Sequence, residues 1–260
     1  MRITLFTSNQ PRHLSLANKL SSISEEVFCV QECTTVHPGK VEDFYKKSDI
    51  MQNYFQRVMN SEKELFGDIS FSPKNLRTLS IKSGDLNGID SNVFKEALRS
   101  DIFVVFGASY IKGWLVDFLI EKKALNIHLG ISPYYRGTAC NFWALYDENF
   151  SHVGSTIHYL SKGLDNGRIL FHALPLVKES TDPFYFTMKS VFAAHEALFF
   201  HLKNSNIFEL DSFEQDKSKE VRYSRNRDFD DLVAKEFLDR NIVLPNKGFN
   251  YPELVQPFFI

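Results

Sequence analysis

Short β-favouring runs alternate with helix-period segments along the first half of this chain, and that order admits few folds. Ile3 to Thr7 reads as a buried strand, Pro11 as a first-turn residue, and Leu14 to Ile23 as an amphipathic helix with Leu14, Leu16, Ala17 and Leu20 inward. Val27 to Val30 is the next apolar run. Adjacent parallel strands need a crossover, and a helix is the usual one, so strand, helix, strand predicts a wound, Rossmann-like α/β sheet of mostly parallel strands. The unit recurs downstream. Ile102 to Phe106 is rich in β-branched and aromatic residues and ends at Gly107, a helix follows Ile111 through Trp114, Leu115, Phe118 and Leu119, and Ala124 to His128 supplies the next strand.

Between these units Ser48 is placed to cap a long helix reaching Phe66, with Ile50, Tyr54, Phe55, Val58, Met59 and Leu65 at helical spacing and Gly67 beyond its end. Thr78 to Ile81 reads as a strand, and Ser91 as the cap of a helix over Val93 to Leu98. Thr138 to Leu145 is expected to be helical, Val153 to Leu160 and Arg168 to Val177 to be strands, and Phe184 to Leu202 a long amphipathic helix. After about residue 205 the composition turns polar. The expected division is a catalytic domain over 1–205 and a small C-terminal appendage over 206–260, a helix plus hairpin suited to pairing two subunits.

A net charge of −2 argues against a nucleic-acid sleeve. Three scattered cysteines, Cys29, Cys33 and Cys140, suit a reducing cytoplasm better than a disulfide framework, and no second ligand pair follows Cys29 and Cys33 to make a structural zinc site. The opening apolar run reaches Ser8-Asn9-Gln10-Pro11 too soon for a signal peptide, and no stretch approaches the roughly 20 apolar residues that span a bilayer. The expectation is a cytoplasmic protein without membrane or nucleic-acid partners.

Asn126 and His128 lie two apart in one strand, so both side chains leave the same face and place an amide and an imidazole in one cleft. Downstream, Asp165 sits on a turn, Leu164-Asp165-Asn166-Gly167. The series N-x-H, Ser132-Pro133-Tyr134-Tyr135-Arg136-Gly137, then Gly154-x-Thr156-x-His158, then L-D-x-G-x-I-L over 164–170 resembles the folate-dependent formyltransferases. The likeness is specific over roughly residues 75–180 and looser over the first 30. It is nearest to the sugar N-formyltransferases, and it implies a formyltransferase-like fold, a homodimer and 10-formyltetrahydrofolate as formyl donor without a metal.

Formyl transfer to an amine needs oxyanion stabilisation and removal of a proton from the attacking nitrogen. By the resemblance Asn126, His128 and Asp165 are the catalytic set. An amide can donate to the oxyanion, an imidazole can take the proton, and a carboxylate can hold the imidazole in one tautomer or relay a proton to the leaving nitrogen. For the folate the resemblance implies the glycine loop with Gly107, Ser109, Tyr110, Ile111 and Lys112 on one side and Ser161, Leu164 and Asp165 on the other. For the acceptor the candidates are Ser8, Asn9 and Gln10 after the first strand and Tyr134, Tyr135 and Arg136 in the loop after His128. Tyr134 and Tyr135 suit either core or rim, and Arg136 suits either a diphosphate or a nearby acid. Leu129-Gly130 departs from the residues usual after the family histidine in the purine and tRNA enzymes. His158 reads as a satisfied structural histidine near the site.

The favoured acceptor is a nucleotide-linked amino sugar, such as a 4-amino-4,6-dideoxy sugar bound for surface polysaccharide. Glycinamide ribonucleotide and methionyl-tRNA are alternatives. From a different class, a regulator that binds folate or nucleotide sugar without turnover would use the same pocket, although the complete trio argues for an enzyme.

Overall fold

The computed structural model describes residues 1–260 except positions 44, 46, 177–180 and 246–248. Side-chain alternation along β1 (Arg2–Ser8) shows how the sheet is built: Ile3 and Leu5 join one apolar cluster and Phe6 the other, so both faces are buried. α1 (Pro11–Ser21), with proline in its first turn, crosses to β2 (Glu26–Cys33), and the chain winds outward to β3 (Leu76–Lys82). It then returns past β1 to β4 (Ile102–Phe106), crosses through α3 (Gly113–Glu121) and enters β5 (Leu125–His128). β1 therefore pairs in parallel with both β2 and β4. At that pair the winding reverses, and the carboxyl ends of the strands open a crevice.

Beyond β5 the sheet changes direction. β7 (Ser155–Tyr159) runs antiparallel to β5, and β8 (Ile169–Leu174) antiparallel to β7. With β10 (Phe258–Phe259) at one edge, the eight strands stand in the order β10-β8-β7-β5-β4-β1-β2-β3. The expected strand end at Val177 falls outside the described residues.

α2 (Asp49–Phe66) begins where expected, with the Ser48 hydroxyl accepting from the Met51 amide at 3.1 Å, and ends at Gly67 with φ 75°. It packs against both α1 and α5 (Pro183–Asn204), and its Tyr54 and Phe55 enter an aromatic cluster with Phe142, Phe184, Phe229 and Phe237. Two local expectations change. In place of a helix over 93–98 there are two 3-10 turns, Ser91–Phe94 and Ala97–Arg99, the first capped by Asp90, whose carboxylate accepts from the Asn92 amide; a six-residue helix gains too few backbone bonds to offset its nucleation. The helix expected from Thr138 starts at Cys140 (α4, Cys140–Tyr146), because residues 135–137 are drawn into strand β6 (Tyr135–Gly137) and Ala139 is left-handed at φ 54°.

After residue 206 the chain runs back over the body. Phe213 exchanges both backbone bonds with Ile169, β9 (Arg222–Ser224) pairs with β6, α6 (Asp231–Asp239) packs on α2, and β10 (Phe258–Phe259) extends the main sheet beside β8. Its described strands thus pair with the body rather than with one another as a hairpin. Among the described residues no helix is long and apolar enough to cross a membrane.

Candidate active site

The register between β5 and β7 builds the centre of the site. Asn126 stands opposite His158 and His128 opposite Thr156, so the two sequence motifs interleave on one face. His158 donates from Nδ1 to the Tyr159 carbonyl at 2.8 Å, which leaves Nε2 as an acceptor; the Asn126 amide donates to it at 3.0 Å. Burial lowers the His158 pKa, against the raising effect of Asp165, and keeps that acceptor available. The second amide hydrogen of Asn126 has only a long contact to Asp165 Oδ1, 3.5 Å. Thr156 holds the loop after His128, donating to the Gly130 carbonyl at 2.6 Å and accepting from the Ser132 amide at 2.9 Å.

His128 is buried, and its Nε2 lies 3.0 Å from the Tyr135 carbonyl. A carbonyl only accepts, so Nε2 carries the proton and Nδ1 is the basic nitrogen. Asp165 Oδ2 lies 3.4 Å from that Nδ1. The tautomer is therefore set by a main-chain carbonyl, and the carboxylate shares the reactive nitrogen. Gly130 makes this packing possible: a Cβ there would stand 2.7 Å from His128 Nε2 and 2.6 Å from Cys140 Cβ.

A cavity of about 1360 Å³ opens over this cluster, reached by Ser8 at the end of β1, Cys33 at the end of β2, Lys82 at the end of β3, and by Phe106, Asn126 and His128. Pockets for one drug-sized ligand are roughly 300 to 1,000 Å³, so there is room for two. Gly107, Ser109, Tyr110, Ile111, Ser161, Leu164 and Asp165 all line it, and Lys112 does not. Tyr110 bridges the two sides by donating to the Lys162 carbonyl. Ile111, Ile127, Leu160 and Leu164 give the lining apolar side chains.

Three residues of this half escaped sequence reasoning. Glu32, buried at the end of β2, accepts from the Ser109 amide at 2.6 Å, the Ser109 hydroxyl at 2.8 Å and the Gly84 amide at 2.8 Å, so Ser109 is committed to the wall. His13 accepts at Nδ1 from the Gln10 amide, 3.2 Å, and its ring lies under Gly107, where φ is 72° and no Cβ fits. Burial pulls the His13 pKa well down, so it presents a neutral ring. Gln215 donates to the carbonyls of Asp165, 2.9 Å, and Gly167, 2.8 Å. The Asp-Asn-Gly run flags a turn at 165–167, but nothing local to Glu32, His13 or Gln215 announces a partner so distant in sequence.

The acceptor candidates divide. Ser8 and Gln10 line the cavity, while Asn9 turns to Thr34, donating to its carbonyl at 3.0 Å. Tyr134 and Tyr135 are core residues rather than rim, since the loop folds inward and the Tyr135 hydroxyl donates to Asp147 at 3.1 Å. Arg136 stands outside the lining, donating to Glu220 at 2.8 Å and to the Leu164 carbonyl at 2.8 Å, so it holds the loop rather than facing a diphosphate in the cavity. Among the described residues the arginine and lysine of the lining are Arg12, whose guanidinium pairs with buried Glu62 at 2.8 Å, and Lys82. Among the described residues no cluster of three His, Cys, Asp or Glu is arranged to hold a metal ion.

Comparison with known proteins finds likeness to formyltransferases over part of the chain. Residues 92–200 match the family model described as Formyl transferase. Methionyl-tRNA formyltransferase from Synechococcus sp. (strain JA-3-3Ab) is 34% identical over 87 residues, which are 33% of this chain and 27% of that protein. The match thus spans about a quarter of that relative's length. Among solved structures, a protein from Mycobacterium tuberculosis described as a likely sugar N-formyltransferase superposes with a TM-score of 0.55 at 16% identity, covering 88% of this chain and 77% of that one. The N-formyltransferase from Helicobacter canadensis gives 0.51 at 15%, covering 88% and 73%. Phosphoribosylglycinamide formyltransferase from Bacillus halodurans gives 0.50 at 16%, covering 78% and 94%. At these identities the likeness is one of fold.

Proposed function

We propose that this chain, whose residues 92–200 match the formyl transferase family, moves a formyl group from 10-formyltetrahydrofolate to the amine of a nucleotide-linked amino sugar. The observation that carries this reading is the convergence of Asn126, His128 and Asp165 at the floor of a cavity with room for two ligands. The bound folate would supply an activated formyl group. Asn126, anchored through one hydrogen by His158, has its second amide hydrogen for the developing oxyanion, a donor worth roughly 100 to 1,000-fold in rate. The acceptor nitrogen forms its bond to the formyl carbon and passes a proton to His128 Nδ1. Asp165 stabilises the resulting imidazolium, and the proton returns to the folate nitrogen as its bond to the formyl carbon breaks.

The sugar acceptor draws support from extent. The Helicobacter canadensis structure, solved with folinic acid and dTDP-3-aminofucose, covers 88% of this chain, whereas the phosphoribosylglycinamide enzyme covers 78%. A nucleotide diphosphate would find a cation in Lys82, since Arg12 is already paired with Glu62. Product use in surface polysaccharide, action in the cytoplasm and a homodimeric state belong to the same proposal. Identity to a methionyl-tRNA enzyme favours tRNA as the second reading, and the net charge of −2 opposes it. The test is incubation with 10-formyltetrahydrofolate and amino-sugar nucleotides, glycinamide ribonucleotide or methionyl-tRNA, with mass spectrometry for a gained formyl group.

A further inference from the structure

The turn that carries Asp165 has little main-chain support of its own. Asp165 is left-handed at φ 49°, a conformation that non-glycine residues adopt only where their surroundings hold them. Its neighbour Gly167 lies so close to the Tyr159 carbonyl that a Cβ would collide with it. Carbonyls 164, 165 and 167 are instead tied by side chains: Arg136 takes Leu164, and Gln215 Nε2 takes both Asp165 and Gly167. Both ties lead to the segment after residue 206. Gln215 belongs to it, and Arg136 is braced by its Glu220. The segment is registered on the body two residues before Gln215, where Phe213 and Ile169 exchange backbone bonds of 2.8 Å in both directions. Gln215 Oε1 is buried without a partner among the described residues, so the polar contacts of this side chain are its two donations to the turn.

We infer that Gln215 is a positioning residue that holds the Asp165 carboxylate against His128 Nδ1, and that the C-terminal segment thereby completes the catalytic site. The inference rests on the proposed roles of His128 and Asp165 in formyl transfer. A side chain that bridges two carbonyls across Asn166 fixes the plane of the turn, and with it the 3.4 Å separation between carboxylate and ring. Without the donors the turn can relax from its left-handed residue, and a displacement on the order of 1 Å at such a pair costs about 100-fold in rate. Gln215 ties the turn at 165–167 and not the glycine loop from Gly107 to Ile111 on the other side of the cavity, so the greater part of folate binding should stay.

The test uses the full chain with Gln215→Met, which keeps length and loses both donors, and Gln215→Glu, which keeps shape and sets a carboxylate against the two carbonyls. In each, kcat should fall about 10 to 100-fold with the folate KM within about threefold of wild type. An activity-independent signature accompanies it. In protein labelled with 15N-histidine, the His128 Nδ1 resonance at neutral pH should move in both variants in the same direction as in Asp165→Asn, while the thermal midpoint shows the variants folded. A His128 resonance unchanged in folded Gln215→Met, or a kcat unchanged in both variants, overturns the inference. If wild type transfers no formyl group to any acceptor while the resonances move together, the positioning stands and the formyl-transfer reading falls.

Discussion

Gly130→Ala puts the geometry of His128 under direct strain. The new methyl would lie 2.6 Å from Cys140 Cβ, 2.7 Å from His128 Nε2 and 3.2 Å from the Tyr135 carbonyl, whereas ordinary contact begins at 3.4 Å. Cys140 Cβ is fixed to the first turn of α4 and cannot yield, so the imidazole must retreat by about 0.7 Å and lose its 3.0 Å bond to Tyr135. Overpacking of this kind costs roughly 1 to 3 kcal/mol of stability, a fall in Tm of several degrees for a chain of this size. The catalytic effect is larger than the stability effect. With about two thirds of an ångström of misplacement and the tautomer no longer held, kcat should drop roughly 10 to 100-fold while the folate KM barely changes. Steady-state kinetics on the folded variant, with Tm measured alongside, decides the matter. A Gly130→Ala enzyme with kcat within twofold of wild type would refute the argument that His128 works from this packed position.

Other outcomes follow from the same geometry. His128→Asn should reduce turnover by at least about 100-fold, as loss of a general base does, with folate binding by fluorescence titration nearly intact. Arg136→Ala should lower kcat by loosening the Leu164 carbonyl rather than raise the acceptor KM, because its guanidinium is spent on Glu220 and that carbonyl; substrate-dependence curves separate the two. Acid should destabilise the fold in a defined window. Burial pushes His172 down to about 4 and His195 to about 3, so the unfolded chain binds their protons first; stability is full above about pH 6.5 and declines as pH falls toward those values. Among the described residues both ring nitrogens of His195 are buried without hydrogen-bond partners, so His195→Phe should leave Tm at pH 7 unchanged or higher and flatten its fall between pH 6 and 4 by differential scanning fluorimetry.

Much of this arrangement is legible from local pattern. The strands that carry the site announce themselves by β-branched and aromatic runs, and a period of two by itself puts Asn126 and His128 on one face. The antiparallel turn of β7 that seats His158 against Asn126 has no comparable signal, because strand direction is decided by connections and not by composition. Local pattern leaves Tyr134 and Tyr135 open between core and rim, and their aromatic volume filling the cluster around α4 decides for the core. Least legible are the parts supplied by main chain or by distant residues. The Tyr135 carbonyl that sets the His128 tautomer has no side-chain signature, and Glu32 and Gln215 act across long sequence separations through single hydrogen-bonded groups. The length of the C-terminal segment is plain in the sequence, while its tie to the Asp165 turn exists only in the folded chain.

The central claim meets its most direct test in a single comparison of wild type with His128→Asn, each incubated with 10-formyltetrahydrofolate and a panel of nucleotide-linked amino sugars and analysed by mass spectrometry. The account predicts that wild type adds one formyl group to at least one amino-sugar nucleotide and that the variant, folded and still binding folate, adds essentially none. Formylation of none of the panel by wild type, or equal formylation by wild type and variant, would contradict it.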